Sequence, residues 1–324
     1  MRATATAPAN IALIKYWGKK DAGLRLPANN SISINLSAIT TVTAVEFSDG
    51  SGEDRISIDG RLLTGVEHER IVAHLDRIRK MADIRTRATV ESRNNFPKGT
   101  GMASSASGFA ALSLAASCAA GLSLSEKQLS VLARLGSGSA CRSVPSGFVE
   151  WRAGTSDSTS YAYSLFPADY WDIRDVIAVV GSEVKKISST EGHSSVASSP
   201  LFTARIKGMP QKIKKMKEAI RNKDFSAFGE ISEAEALNMH AIMMTSRPAL
   251  IYWTPTTLRV MHQIVDWRSG GLESYFTIDA GPNVHVLCLA KDALKLEQRL
   301  SAIEGVQKVI VNQPANGATL LADG

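Results

Sequence analysis

Residues 97–107, Pro-Lys-Gly-Thr-Gly-Met-Ala-Ser-Ser-Ala-Ser, combine the features of an anion cradle. Gly99 and Gly101 let the backbone turn tightly and approach a ligand. Met102, Ala103, Ser104 and Ser105 lead into a small-residue helix, whose first N–H groups have no partner within the helix. Such a helix start favours anions, and short side chains leave the amides open to a phosphate. The Ser105 hydroxyl suits a phosphate oxygen or a magnesium ion, or simply caps the helix. No Gly-Lys-Ser/Thr triplet follows the glycines, so the usual P-loop is excluded. A Gly/Ser turn ahead of a packed Ala-rich helix gives the same local pattern, and the stretch alone leaves both readings standing.

The loop is positioned by a strand before it, Thr86 to Ser92, and the helix after it. Upstream, residues 2–7 read as a strand, 11–16 is an apolar run, Ser31 to Leu36 alternates as a half-buried strand, and Thr40 to Phe47 is β-branched and reads as the next strand. Ile56 to Leu62 reads as a hairpin over Asp59-Gly60, and Glu67 to Met81 has helical spacing. Downstream come a helix from Ser125 to Gly136 and strands at 143–151, 160–165 and 175–181. The Ser/Gly-rich stretch 185–200 marks a domain boundary, giving 1–183 and 184–324. The second half reads as helices 207–222, 225–243 and 256–267, then strand, turn, strand, helix and strand, which is α+β with an antiparallel hairpin.

A chain of 324 residues can bury a substantial core and divide in two. Its formal net charge of +6 suits polyanionic ligands without specifying them. Cys118, Cys141 and Cys288 are odd in number and form no CxxC pair, which argues against a disulfide framework or zinc site and for a reducing cytoplasm. No signal core follows Arg2, and the longest apolar run, Phe109 to Leu122, is too short to span a bilayer. No membrane partner is expected. The lysines of 207–217 lack the aromatic interleaving of single-strand binders, so a solvated helix face is expected rather than a nucleic-acid surface.

The phosphate loop resembles that of the GHMP kinase superfamily. Four further stretches narrow the resemblance: Ala9 to Lys19, Gly136 to Ser143, Ser188 to Gly192, and Asp279 to Asn283. In this order and spacing they are similar to the diphosphomevalonate decarboxylases, from near residue 3 to past residue 290. The resemblance implies a two-domain GHMP-kinase fold. Its N-terminal nucleotide-binding domain would be ribosomal-protein-S5-domain-2-like, and its C-terminal domain ferredoxin-like. It also implies ATP with Mg2+, diphosphomevalonate as substrate, and a homodimer.

By resemblance Asp279 is the essential carboxylate, orienting or deprotonating the substrate C3 hydroxyl as it attacks the γ-phosphate. Arg142 falls to the C1 carboxylate, which a guanidinium grips through two parallel hydrogen bonds. Lys15 lies near the reacting centre, and Tyr16 and Lys19 at the diphosphate end. Ser137, Gly138 and Ser139 match contacts to the diphosphate and carboxylate region, and Ser92 a position near the adenine. Trp17 and Cys141 are expected to be packing residues.

Two departures stand out. Many bacterial relatives carry arginine and methionine where this chain has Thr190 and His193, and eukaryotic relatives also have threonine. The expected diphosphate contacts are therefore Tyr16, Lys19 and one of Lys185 and Lys186, with Thr190 and His193 alongside and His193 as a supporting donor. After Ser143 the usual aromatic and two glycines are replaced by Val144-Pro145-Ser146-Gly147. The nearest alternative is a C3 kinase or a decarboxylase of a differently phosphorylated mevalonate. A non-catalytic nucleotide- or RNA-binding protein is the distant one.

Overall fold

The computed structural model describes residues 1–49, 52–96, 104–181 and 189–322, with the backbone only at 189–191. Gly99, Gly101, Met102, Ala103, Lys185, Lys186 and the 183/184 boundary lie outside the described residues, as does the Thr190 side chain.

Two sheets carry the chain, in the α+β arrangement expected. The first has eight strands, six of them along the path Thr319–Leu321, Arg2–Ile14, Ser31–Ser48, Arg87–Asn94, Arg55–Ile58 and Arg61–Leu62. Phe148–Trp151 and Ala162–Phe166 branch from the long strand beside Ser31–Ile34. The second sheet is antiparallel, in the order Tyr275–Thr277, Val284–Leu289, Ile173–Val179 and Lys308–Asn312. The change of sheet thus precedes the boundary read from composition. The Ser/Gly-rich stretch marks a change of segment type, whereas Ile173–Val179 is chosen by its apolar pairing with the later strands.

One face of the first sheet is covered by helices Gly65–Ala82, Ser104–Ala119 and Glu126–Gly136. Alanines on both sides of this contact, Ala3, Ala5 and Ala7 against Ala110 and Ala111, bring helix and sheet backbones close. A Ser125–Gln128 capping box starts the third helix. Helices Phe202–Asn222 and Phe225–Thr245 lie between the sheets, burying Met209, Met216 and Phe228 against Ile11, Leu13, Ile177 and Leu287. Helices Pro255–Ser269 and Ala293–Ser301 cover the other face of the second sheet.

That sandwiching corrects the reading of Ser31 to Leu36. The strand is buried on both faces there and alternates only beyond Ser37, where it leaves the second half of the chain. The two runs around residue 38 form one strand, as do the two at the N-terminus, with register shifts at Pro8/Ala9 and Ala12/Ile14. Residues 138–143 form a 3-10 turn, so the strand expected from 143 begins at Phe148. The cationic helix starts at Phe202 and is only partly solvated. Lys214 is exposed, while Lys212 and Lys217 reach inward to Glu235 and Glu150.

Candidate active site

Lys15 and Asp279 meet between the two sheets, Nζ to Oδ1 at 2.7 Å, from positions 264 residues apart. Lys15 directly follows the first strand, and Asp279 lies just past Tyr275–Thr277. The Lys15 side chain is 1 % exposed and that of Asp279 26 %, so the carboxylate is the open member of the pair. Burial lowers the Lys15 ammonium from its usual pKa, with Asp279 pulling it back. Burial would raise the Asp279 carboxyl, but the Lys15 charge outweighs it and holds the group below the usual carboxylate range. His240 Nε2–H donates to the Asp279 carbonyl at 3.1 Å and fixes the backbone there.

Beyond the strand end, side chains hold the Lys15 backbone. Its N–H points at Glu235 Oε2 at 3.4 Å, and its carbonyl accepts from Asn29 and Arg205, each at 3.0 Å. Glu235 is fully buried and pairs with Arg205 at 2.9 Å and Lys212 at 2.7 Å. Burial raises its carboxyl, and the two cations more than reverse this, leaving it below the usual range.

Arg142 is buried in the 3-10 turn. Its Nε donates to Asn10 Oδ1 at 3.2 Å and its Nη1 to Ser31 Oγ at 2.8 Å, leaving Nη2 without a protein partner among the described residues. Asn10 is fixed in turn by Ser139 and Ser143. The Arg142 charge acts on both Lys15 and Asp279, which places the three groups in one electrostatic neighbourhood. Cys141 is buried, its thiol pushed up to about 12, as suits a packing residue. The departing segment after Ser143 is tied down: Asn35 Nδ2 donates to the Pro145 carbonyl and Gly147 N–H to that of Ala315.

The Tyr16 ring lies directly over Gly138, where any Cβ would fall within 2.8 Å of the phenol oxygen. His193 is stacked between Tyr16 and Trp17, with centroids at 4.3 and 4.5 Å. Its Nδ1 accepts the Gly18 N–H at 2.9 Å, so only Nε2–H remains to donate. Burial, then the charges of Lys19, Arg25 and Arg142, hold this imidazole neutral. Gly18 has φ +100 and abuts Phe202, a position only glycine fills without strain. Trp17 is buried, as expected of a packing residue.

On the helix side of the first sheet is a cavity of about 270 Å³. Ile56, Leu63 and Phe109 form its apolar walls, and Ser92, Asn94, Ser104 and Ser105 its polar lining. Ser92 Oγ is fixed by Thr43 at 2.9 Å, and Ser105 Oγ bonds Ser137 Oγ at 3.1 Å. That bond links the cavity to the turn beneath Tyr16. Among the described residues no cluster of His, Cys, Asp or Glu could hold a metal by itself.

The structure therefore gathers Lys15, Asp279 and Arg142 in one place, Tyr16, Gly138 and His193 beside it, and Ser92, Ser104 and Ser105 around the cavity. Sequence reading missed Asn10, Ser31, Asn29, Glu235, Arg205 and His240 as parts of this arrangement. Asn10 and Ser31 gave a faint signal, as polar residues inside strands. Glu235 and Arg205 gave none, because their partner is distant in sequence.

The comparisons agree with this geometry. Residues 7–162 match the family model for the diphosphomevalonate decarboxylase-like N-terminal domain, and residues 175–317 that for the mevalonate 5-diphosphate decarboxylase C-terminal domain. The diphosphomevalonate decarboxylase of Aspergillus fumigatus is 38% identical over 94% of this chain and 81% of its own length. The mevalonate diphosphate decarboxylase of Staphylococcus aureus superposes with a TM-score of 0.94 at 38% identity, covering 99% of this chain and 98% of its own. That of Enterococcus faecalis gives 0.93 at 37%, covering 100% and 99%. Both halves match, in one shared fold and over nearly the whole length, so the chain belongs to the diphosphomevalonate decarboxylase family.

Proposed function

We propose that this chain converts (R)-5-diphosphomevalonate, with ATP, to isopentenyl diphosphate, ADP, phosphate and carbon dioxide. The Lys15–Asp279 contact at 2.7 Å carries the reading, because it sets a partly exposed carboxylate against a buried cation where the two sheets meet. A solved neighbour at TM-score 0.94 holds MVAPP, AMPPCP and magnesium, which supports the same ligand classes here.

In this reading the base of ATP enters the cavity beside Ser92, and its phosphates reach the start of helix Ser104–Ala119 near Ser105. The Ser105 hydroxyl and the Asp279 carboxylate are oxygen donors suited to magnesium. Ser105 and Asp279 would hold the ion together with the nucleotide phosphates. When bound, it neutralises charge on the transferring phosphates.

Asp279 accepts a hydrogen bond from the C3 hydroxyl and aims that oxygen at the γ-phosphorus. Its lowered pKa makes it a weak base, so positioning contributes more than proton abstraction before the transition state. Lys15 steadies the carboxylate. Phosphorylation turns the tertiary oxygen into a leaving group. As C3–O breaks, the C1–C2 electrons form the alkene and C1 departs as carbon dioxide. Arg142 holds the C1 carboxylate in line through its remaining N–H groups. The diphosphate lies toward Tyr16, Lys19, Ser137, Gly138, Ser139 and Thr190, with His193 Nε2–H as a neutral donor.

A homodimer and a cytoplasmic location belong to the same proposal. Three free cysteines support a reducing compartment. No helix among the described residues is long and apolar enough to cross a membrane. The test is a coupled measurement of ADP and carbon dioxide over a panel of mevalonate phosphates. Equal release of both from diphosphomevalonate is expected. A stable C3-phosphate without carbon dioxide overturns the assignment in favour of a kinase.

A further inference from the structure

Four consecutive residues, Leu135 to Gly138, gather an unusual set of partners at the C-terminus of helix Glu126–Gly136. The Leu135 carbonyl accepts from Arg25 Nε at 3.1 Å, and the Gly136 carbonyl from Arg70 Nη2 at 2.7 Å. Ser137 bonds Ser105, and Gly138 carries the Tyr16 ring. The helix end, with its partial negative charge, fixes the two guanidiniums. The Arg25 charge acts on both Tyr16 and Lys19, while the Arg70 guanidinium lies 4.6 Å over the Phe109 ring at the cavity.

Glu67 acts on Arg70, but Arg25 and Lys19 are poorly compensated. Among the described residues no carboxylate lies within ion-pair distance of Arg25 or Lys19. The only acid in their hairpin strand Lys19–Asp21, Asp21, is turned to the Leu24 N–H instead. The charges of Arg25 and Arg70 both act on Lys19, that of Arg25 acts on Arg70, and that of Arg25 on Tyr16 and His193. Half-buried like charges of this kind are costly unless an anion joins them. Arg25 also sits at φ 52, a left-handed conformation that side-chain-bearing residues rarely adopt. Strain of this kind gathers at ligand clamps. The short hairpin Lys19–Asp21 with Leu26–Pro27 points this residue back at the helix end.

We infer that Arg25 is a diphosphate-binding residue, closing on the terminal phosphate of the substrate together with Lys19 and Tyr16. Its Nε stays on the Leu135 carbonyl while the two terminal nitrogens form a fork for phosphate oxygens. This supplies, from the hairpin, the cation that neither the Thr190 hydroxyl nor a neutral His193 provides. The inference rests on the reading that the substrate carries a diphosphate.

The test compares wild type, Arg25→Gln and Arg25→Lys in steady-state turnover of diphosphomevalonate with ATP. For Arg25→Gln, KM for diphosphomevalonate should rise about ten-fold or more, with kcat and KM for ATP within about two-fold. Arg25→Lys, which keeps the charge but not the fork, should recover part of the loss. Normal wild-type turnover with an unchanged KM in Arg25→Gln overturns the inference alone. So does an equal rise in KM for ATP, or a failure of Arg25→Lys to recover anything, since a purely structural role predicts those. Absence of wild-type turnover on diphosphomevalonate overturns the underlying reading, and this inference with it.

Discussion

Replacing Asp279 with Asn isolates what its charge contributes. The side chain keeps its shape and an oxygen that can still accept from Lys15 Nζ, and the backbone bond to His240 is untouched. What is removed is the carboxylate. At 2.7 Å and an effective dielectric near 20, the lost Lys15–Asp279 attraction is about 6 kcal/mol gross. Only part of this appears as lost stability, because burial already disfavours the Lys15 ammonium while the Glu235 charge still favours it once Asp279 is neutral. The variant should therefore fold and bind ATP with the carboxylate charge removed. Catalysis has no such escape. The C3 oxygen loses its acceptor and its aim, a loss of about 10²–10⁴-fold in kcat for a positioned base. That corresponds to about 2.7–5.4 kcal/mol on the barrier. The assay is kcat from coupled ADP release and from carbon dioxide, with thermal unfolding as the control for folding. If Asp279→Asn keeps more than about a tenth of the wild-type rate, the carboxylate supplies no more than about 1.4 kcal/mol and the assigned role is wrong.

Lys15→Met should shift the acid limb of the kcat profile to higher pH, because the charge holding the Asp279 carboxyl down is gone while its burial remains; an unmoved acid limb refutes the coupling. Glu235→Ala should cost about 3–5 kcal/mol in chemical denaturation at neutral pH, since it strands the buried Arg205 charge. The Glu235 carboxyl is lower in the folded state, so its contribution is present above the unfolded pKa and fades as pH falls through the folded one. The gap between wild type and variant should narrow in acid, and a gap that widens there refutes the argument. His193 is neutral across pH 6–8.5 on geometric grounds, so His193→Ala should change the level of KM for diphosphomevalonate but not the shape of its pH profile; a steep wild-type rise that vanishes in the variant would make His193 a cation after all.

Chemistry carried by a short stretch was legible in the sequence. The run Ala9 to Lys19 contains Lys15, Tyr16 and Lys19, and each lies at or beside the site, because the chain leaving the first strand delivers them in succession. Asp279 was legible through the resemblance that the stretch Asp279 to Asn283 carries. Burial was less so. The alternation of Ser31 to Leu36 implied a wet face, yet Ser31, Ser33 and Asn35 are buried, because their polar side faces the Arg142 turn and its neighbours rather than solvent. Period-two alternation reports which side chains share a face and says nothing of what covers that face. Residues 175–181 were read as a strand, which the structure places at Ile173–Val179, but its sheet could not be read, since pairing with Val284–Leu289 is decided more than a hundred residues later.

The support of Lys15 shows why such partners escape a sequence reading and why the site needs them. The ladder of the first strand ends at Ile14, so the Lys15 N–H and carbonyl would be unpaired in a buried position. Glu235 and Arg205 meet that need from helices of the second half, and they pair with each other. The same two side chains therefore satisfy the backbone, neutralise one another and fix the direction in which the Lys15 ammonium leaves the strand. Asp279 comes from the second sheet, whose strand Tyr275–Thr277 packs on the helix that carries Glu235. The position of that one helix thus bears on both members of the pair, holding the Lys15 backbone through Glu235 and setting Asp279 through Tyr275–Thr277. A contact across 264 residues can then be held at hydrogen-bond length without a covalent link.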